Sequence, residues 1–329
     1  MLRWIITNWF LVAVVAVLLL AWAVPDLGRS AGWLHLDQLR DILVVGIFLI
    51  TGLTLRTREL GASLGQWRLH LAVHVSVFAV VPALFYLLVI ALRATGMPDT
   101  LLVGMMILGC LPTTIASCTI MTKEAGGNLP AALFNATTTN ILGVFITPLL
   151  VLWTCGLAAE IDVWPVFRKL SLLVLLPVIV GQLVRIWLRT PIETHRRRLS
   201  IIANSMLLLI LLQSLSNAFL TDLGAITPSQ VWFACIIAAL ACMVVLALCW
   251  WGMGIPLLHF SMADRIAATL CGSQKTIALG IPLISLMFDG DPRLGLLMLP
   301  ALAYHPCQLI VGSIILPRWR RLVENTHHA

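Results

Sequence analysis

Charge is what this sequence has least of. Only 11% of its 329 residues are Asp, Glu, Lys or Arg, and three of those are lysines. Set against 60% hydrophobic residues and a mean hydropathy of +1.01, that scarcity excludes a soluble globular domain and implies a polytopic membrane protein. Strand-like alternation is missing from the apolar runs, which excludes a barrel and leaves an all-α bundle with the lipid bilayer as its partner. No polar stretch is long enough for a separate soluble domain. CxxC spacing is also absent: Cys110, Cys118, Cys155, Cys235, Cys242, Cys249, Cys271 and Cys307 lie mostly inside apolar runs, so small packing residues are expected rather than disulfides or a metal site. The net charge of +7 forms no basic amphipathic surface, so no nucleic acid is expected as a partner. No carboxylate–histidine pair or metal-ligand set stands at the end of a span, so neither an enzyme nor a cofactor is expected.

What is present is a series of apolar runs, each near the roughly 20 residues that cross a bilayer. Ten spans are predicted, at 5–24, 39–55, 70–92, 100–122, 129–153, 166–188, 199–219, 230–257, 264–288 and 294–316. The first is read as a span rather than a cleaved signal, because its apolar run is long for one. Placing both termini in the cytoplasm puts 14 Lys/Arg on that side, among them Arg3, Arg56, Arg58, Arg196, Arg197 and Arg198. Six fall on the other side (Arg29, Arg40, Arg93, Arg168, Lys169 and Arg293), so an inner-membrane protein of this orientation is expected.

The two halves, 1–160 and 161–329, echo each other. "LPAALF" (129–134) returns as "LPALAY" (299–304), and Gly143 and Pro148 match Gly312 and Pro317 at a constant offset. "TTIA" (113–116) returns as "KTIA" (275–278). Five spans per half means that the copies insert with opposite orientation, as the inverted repeats of secondary transporters do. The fourth and ninth spans are interrupted at matching places, by Pro112 in "CLPTTIASC" and by Gly272 in "CGSQKT". Unwound backbone at membrane depth is tolerated only against protein or a water-filled cavity, and paired breaks point to a midplane binding site.

The polar side chains near the breaks are Thr113, Thr114, Ser117, Cys118, Ser273, Gln274, Lys275 and Thr276, with Asn135, Thr137, Thr138, Thr139, Asn140, His305 and Gln308 added from the following spans. For any one threonine, a bond to its own helix is the plainer role. Lys275 is different, because a cation at the bilayer centre costs about 2.5–3.5 kcal/mol. All fourteen acidic residues fall in loops or near span ends, so no carboxylate is at hand to pair with it. The half-helices restarting after each break point positive ends the same way, and the site is expected to favour an anion. A snorkelling or deprotonated lysine is the competing reading. His305, before Pro306, is either a packing histidine or a proton carrier.

"GCLPTTIASCTIMTKEAGGNLPAALFN" (109–135), "CGSQKTIALGIPL" (271–283), "AYHPCQLIVGS" (303–313) and "GQWRLHL" (66–72) together resemble the bile acid:sodium symporter family, solute-carrier family 10, and within it the branch of the seventh member and its bacterial relatives. The resemblance covers essentially the whole chain. It implies ten helices, with spans 1, 2, 6 and 7 as a panel, spans 3–5 and 8–10 as a core, and broken helices 4 and 9 crossing at sodium sites. Of the ligands it implies, Ser117 and Gln274 are kept, Cys118 and Lys275 stand where asparagines belong, and Leu270 replaces a glutamate. Losing the carboxylate and gaining a cation both weaken sodium binding.

Three functions follow. One is a secondary-active carrier of a small organic anion, with Lys275 as a tethered substitute for the coupling cation and H+ or no ion coupled. Another is a sodium symporter keeping one degenerate site at Ser117, Gln274 and backbone carbonyls. The third is a regulatory membrane protein that binds its ligand without transport. Monomer and homodimer stay open.

Overall fold

A computed structural model describes residues 9–55, 65–155, 163–220 and 227–327. Arg3, Arg56 and Arg58, and the expected division at residue 160, lie outside the described residues. Among the described residues there is no strand. The helices are α1 (Trp9–Ala23), α2 (Leu36–Thr54), α3 (Trp67–Arg93), α4 (Asp99–Cys110), α5 (Ile115–Glu124), α6 (Leu129–Thr154), α7 (Arg168–Trp187), α8 (Arg189–Leu220), α9 (Pro228–Gly252), α10 (Met262–Ser273), α11 (Ile277–Met287) and α12 (Leu294–His327). Among the described residues, seven segments are long and apolar enough to cross a membrane, with α10 and α11 counted as one. An eighth results if α4 and α5, bent by 54° at their junction, form one span. Of the other expected spans, α1 has 15 described residues and α2 opens with Asp37, Arg40 and Asp41.

Helix ends differ from the hydropathy boundaries where the chain leaves the bilayer. The segment expected at 199–219 begins at Arg189, so Arg196, Arg197 and Arg198 ride on α8 instead of in a loop, and α12 runs past residue 316 to His327. Arg, Glu and Leu are good helix formers, so the helix continues into water after the apolar run has stopped. Exposed tryptophans mark helix ends: Trp22, Trp153, Trp187 and Trp251 near C-termini, and Trp67 and Trp232 near N-termini. That is the placement of amphipathic rings at the two membrane–water interfaces.

Helices α3 and α7 each contain one widened turn, at Ser76–Val80 and Ser171–Leu175. Each is followed at once by a turn containing a proline, Pro82 or Pro177. A proline ring pushes away the carbonyl one turn earlier and offers no N–H, and a π-type turn absorbs both effects without ending the helix.

Contacts divide the chain into two units, each drawing on both sequence halves. The first holds Met1–Leu55, Ala159–Ala225 and Ile281–Met298. In it α2 lies against α7 and α8. A Cβ on Gly52 would come within 2.3 Å of Val178 O, and one on Gly181 within 2.5 Å of Leu49 O, so the α2–α7 crossing requires glycine on both sides. Side chains of α7 finish α2: Gln182 donates to the Gly52 and Leu55 carbonyls, and Arg185 donates to Leu53 O (2.6 Å) while pairing with Glu193. At the other end Asp289 joins Arg40 of α2 to Lys169 of α7. Burial pushes the Asp289 carboxyl up, but the two cations outweigh it and hold the carboxyl below its ordinary value.

The second unit holds Arg56–Ala158, Ile226–Gly280 and Leu299–Ala329. The "AGGN" motif is the turn between α5 and α6: Gly126 has φ +73°, and Asn128 caps α6 by accepting from Ala131 N (3.0 Å). The same Asn128 amide donates to Asp264 (2.6 Å) and Gln66 (3.1 Å), which ties the starts of α3, α6 and α10 together. Arg265 donates to Trp250 O (2.9 Å) and lies over the Trp250 ring, which stacks on Trp319.

Candidate functional site

Helix α4 stops at Cys110 and α5 restarts at Ile115, so the break falls at Pro112. The second break is residues 274–276, between α10 and α11. Gly272 is still helical there. Its role is close packing, since a Cβ at that position would lie 2.8 Å from Ser76 Oγ. Gln274, Lys275 and Thr276 are all buried, so the unwound residues are surrounded by protein, as low-dielectric surroundings require.

A helix end leaves carbonyls without partners, and each of those around the first break is supplied by a side chain or by the second break. Lys275, 1% exposed, donates its ammonium to Gly109 O (2.9 Å) and Leu111 O (2.7 Å). Thr147 Oγ1 donates to Cys110 O (2.9 Å), the Thr276 N–H to Pro112 O (2.9 Å), and Asn140 Nδ2 to Thr113 O (2.7 Å). The ammonium thus faces the negative C-terminal end of α4. This differs from the expectation that it would simply add to the positive ends of the restarting half-helices.

The second break is held from α12. Gln308 accepts from the Lys275 N–H (2.8 Å) and donates to Lys275 O (3.0 Å) and His305 Nδ1 (2.8 Å). Both amide hydrogens are then engaged, which leaves the proton of a neutral His305 on Nε2. Tyr304 donates to Ser273 O (2.7 Å), and Ser273 Oγ returns to Thr269 O in its own helix. Thr113 and Lys275 are the matched residues of "TTIA" and "KTIA", and each has its carbonyl held by an amide side chain from the next helix, Asn140 or Gln308.

Beside the two breaks, Ser117 donates to Gln274 Oε1 (2.9 Å) and lies 3.1 Å from Thr114 Oγ1, so three side-chain oxygens converge. The Gln274 amide nitrogen donates to Met121 Sδ (2.9 Å). Cys118 Sγ is 3.2 Å from Cys271 Sγ, and Leu270 is buried beside them. Thr113 Oγ1 is buried with no hydrogen-bond partner. No described carboxylate is buried.

Not every expected residue gathers at the breaks. Asn135 lies 3.2 Å from His70 Nδ1, and Thr138 lies 3.0 Å from His74 Nε2, forming a second polar cluster between α3 and α6. Thr137 is buried in α6. Thr147 and Tyr304 belong to the site without having been singled out. Thr147 carries no signal, whereas Tyr304 stands inside "AYHPCQ", one residue before His305.

The sequence matches the SBF-like CPA transporter family over residues 8–321. It is 31% identical to the mouse (Mus musculus) protein named sodium/bile acid cotransporter 7 over 94% of this chain and 92% of that one. Its identity to the zebrafish (Danio rerio) protein of the same name is 31%, over 94% and 93%. An uncharacterized protein of Pseudomonas aeruginosa is 32% identical over 95% and 92%. Taken with the apolar helices and the two breaks, these likenesses place the chain in the SBF-like CPA transporter family, as a multi-pass membrane transporter.

Proposed function

We propose that the protein is a secondary-active carrier of a small organic anion in the cytoplasmic membrane, in which the Lys275 ammonium occupies the place of a coupling cation. The observation that carries this reading is the pair of bonds from Lys275 Nζ to Gly109 O and Leu111 O. Main-chain carbonyls at the end of a broken half-helix are the ligands that hold coupling ions in carriers of this type. A tethered ammonium bonded to them supplies the charge without an ion being bound from solution. With no described carboxylate buried, the crossing keeps a positive balance, which favours an anionic cargo.

A second reading has its own observation. Thr114, Ser117 and Gln274 bring three oxygens together, and the orphaned Thr113 hydroxyl lies at the same break, a set suited to one sodium ion. Thermal unfolding in detergent, in sodium against choline at equal ionic strength, separates the two. A ligand bound only by the folded state stabilises by RT ln(1 + [L]/Kd), about 2.7 kcal/mol at one hundred times Kd. The tethered-cation reading expects no sodium-specific shift in the native protein and a saturable one in Lys275→Asn, where a neutral oxygen ligand replaces the ammonium. A saturable shift in the native protein moves the sodium symporter to first place. Counterflow of labelled anions into liposomes tests carriage itself.

A further inference from the structure

In the second contact unit, an apolar groove of about 690 Å³ runs along α3, with the end of α9 and the turn after it as its other wall. Two local features hollow it out. The widened turn of α3 places Ser76 and Val80 in one wall, and Leu84 lies one turn further on. In the other wall α9 ends at Gly252, where a Cβ would meet nothing within 4 Å, so no side chain fills the space.

Charge is confined to one end of the groove. Trp67 and Arg68, in the first turn of α3, line it there together with His259, which precedes α10. Deeper in, Ser76 is bonded to Cys249 Sγ (3.5 Å), and the remaining wall is apolar. From Arg68 to Leu84 the helix rises about 24 Å, more than the roughly 15 Å of hydrocarbon in one leaflet. The groove therefore meets headgroups at Arg68 and hydrocarbon beyond it, with Trp67 marking the interface.

The charges select the headgroup. Arg68 is exposed, lies 5.5 Å from the centre of the Trp67 ring and pairs with no carboxylate among the described residues. No carboxylate lines the groove. The bonds of Asn128, the Trp250–Trp319 stack and the approach of Val323 to Gly126 gather one end of the unit. Its described charges are Arg68, Lys123, Arg265, Arg318, Arg320 and Arg321 against Glu124, Asp264 and Glu324. Asp264 is engaged by Asn128 and Ser261, and Glu324 by Arg320. An apolar body disfavours a free anion, and a positive mouth favours an anionic headgroup over a zwitterionic one.

We propose that this groove binds one anionic phospholipid, with its phosphate at Arg68 and an acyl chain along α3 toward Val80 and Leu84. The site uses none of the residues on which the Lys275 reading rests, so the two are tested separately.

The probe is dioleoylphosphatidylglycerol, added to the full chain purified in detergent and counted as bound lipid by native mass spectrometry. One saturable lipid is expected, with dioleoylphosphatidylcholine bound about five-fold or more weakly and glycerol 3-phosphate not competing. Arg68→Gln should weaken the phosphatidylglycerol about five-fold or more, down to the level of phosphatidylcholine. Gly252→Trp, which fills the groove, should remove the bound lipid, and without added lipid it should unfold no earlier than the native protein. Gly252→Leu covers the case in which the tryptophan variant does not fold. Arg321→Gln, an exposed cation at the same end but outside the groove, should leave binding within about two-fold. Equal binding of the two lipids overturns the proposal, as does competition by glycerol 3-phosphate alone. So does lipid retained by the Gly252 variants, or an Arg321→Gln loss as large as that of Arg68→Gln, which would show charge attraction without a site.

Discussion

At the scale of single residues, Lys275 is the side chain that the sequence poses as a problem and the structure accounts for. The lone lysine among apolar neighbours stood out in the sequence because its insertion cost has no loop or carboxylate to relieve it. Its partners were not legible: carbonyls have no signature in sequence, and Gly109 and Leu111 are distant from Lys275 along the chain. Gln308 is the residue that fixes the lysine, holding its backbone on both sides. Gln308→Leu would strand a buried N–H and a buried C=O, at about 1–3 kcal/mol each. Thermal unfolding should show a fall of at least about 2 kcal/mol. Ser313→Ala, which removes only an exposed bond back to Leu309 O in the same helix, should fall within about 0.5 kcal/mol of the native protein. Equal effects from the two would mean that Gln308 does not clamp the break.

At the scale of elements, the breaks separate what a helix does for itself from what its neighbours do for it. The proline in "CLPTT" located the first break, because proline cannot continue a helix without local repair. In the second, the glycine was a misleading marker: Gly272 stays helical to let Ser76 approach, and the chain leaves the helix at Gln274. Glycine serves close packing and unwinding equally well, and sequence does not separate the two uses. Helix α6 offers an internal comparison. Thr147 bonds across to the free Cys110 carbonyl, whereas Thr139 bonds back to Asn135 O in its own helix, where the ladder already supplies a donor. Thr147→Val should therefore cost about 1–2 kcal/mol and Thr139→Val less than about 0.5 kcal/mol, measured as shifts in unfolding in one detergent. The reverse order would show that the α4 carbonyls are satisfied without Thr147.

At the scale of the whole molecule, the distribution of cations joins the sequence to the membrane. Hydropathy made the helical class and most spans legible, since a bilayer imposes one length on every crossing segment. It missed where α8 and α12 end, because no bilayer constraint acts beyond the interface. The side assignments have a structural counterpart within each unit. Arg40 and Lys169, placed on the poorer side by counting loops, meet at Asp289, while Arg185, placed on the richer side, caps the opposite end of α2. In the second unit, Arg68 and Arg265 flank the ends that Asn128 ties together. Within each unit, cations assigned to one side by charge are thus gathered at one end by hydrogen bonds and ion pairs, which does not say which end is cytoplasmic. The positive-inside bias supplies that choice and predicts that the C-terminus after Arg318, Arg320 and Arg321 stays in the cytoplasm. A green fluorescent protein fused there should fold and fluoresce, and alkaline phosphatase fused there should be inactive. Phosphatase inserted after Gly290, in the turn between α11 and α12, should instead be active. An inverted pattern at both sites would place the Asp289 cluster of Arg40 and Lys169 on the cytoplasmic side, against the positive-inside bias.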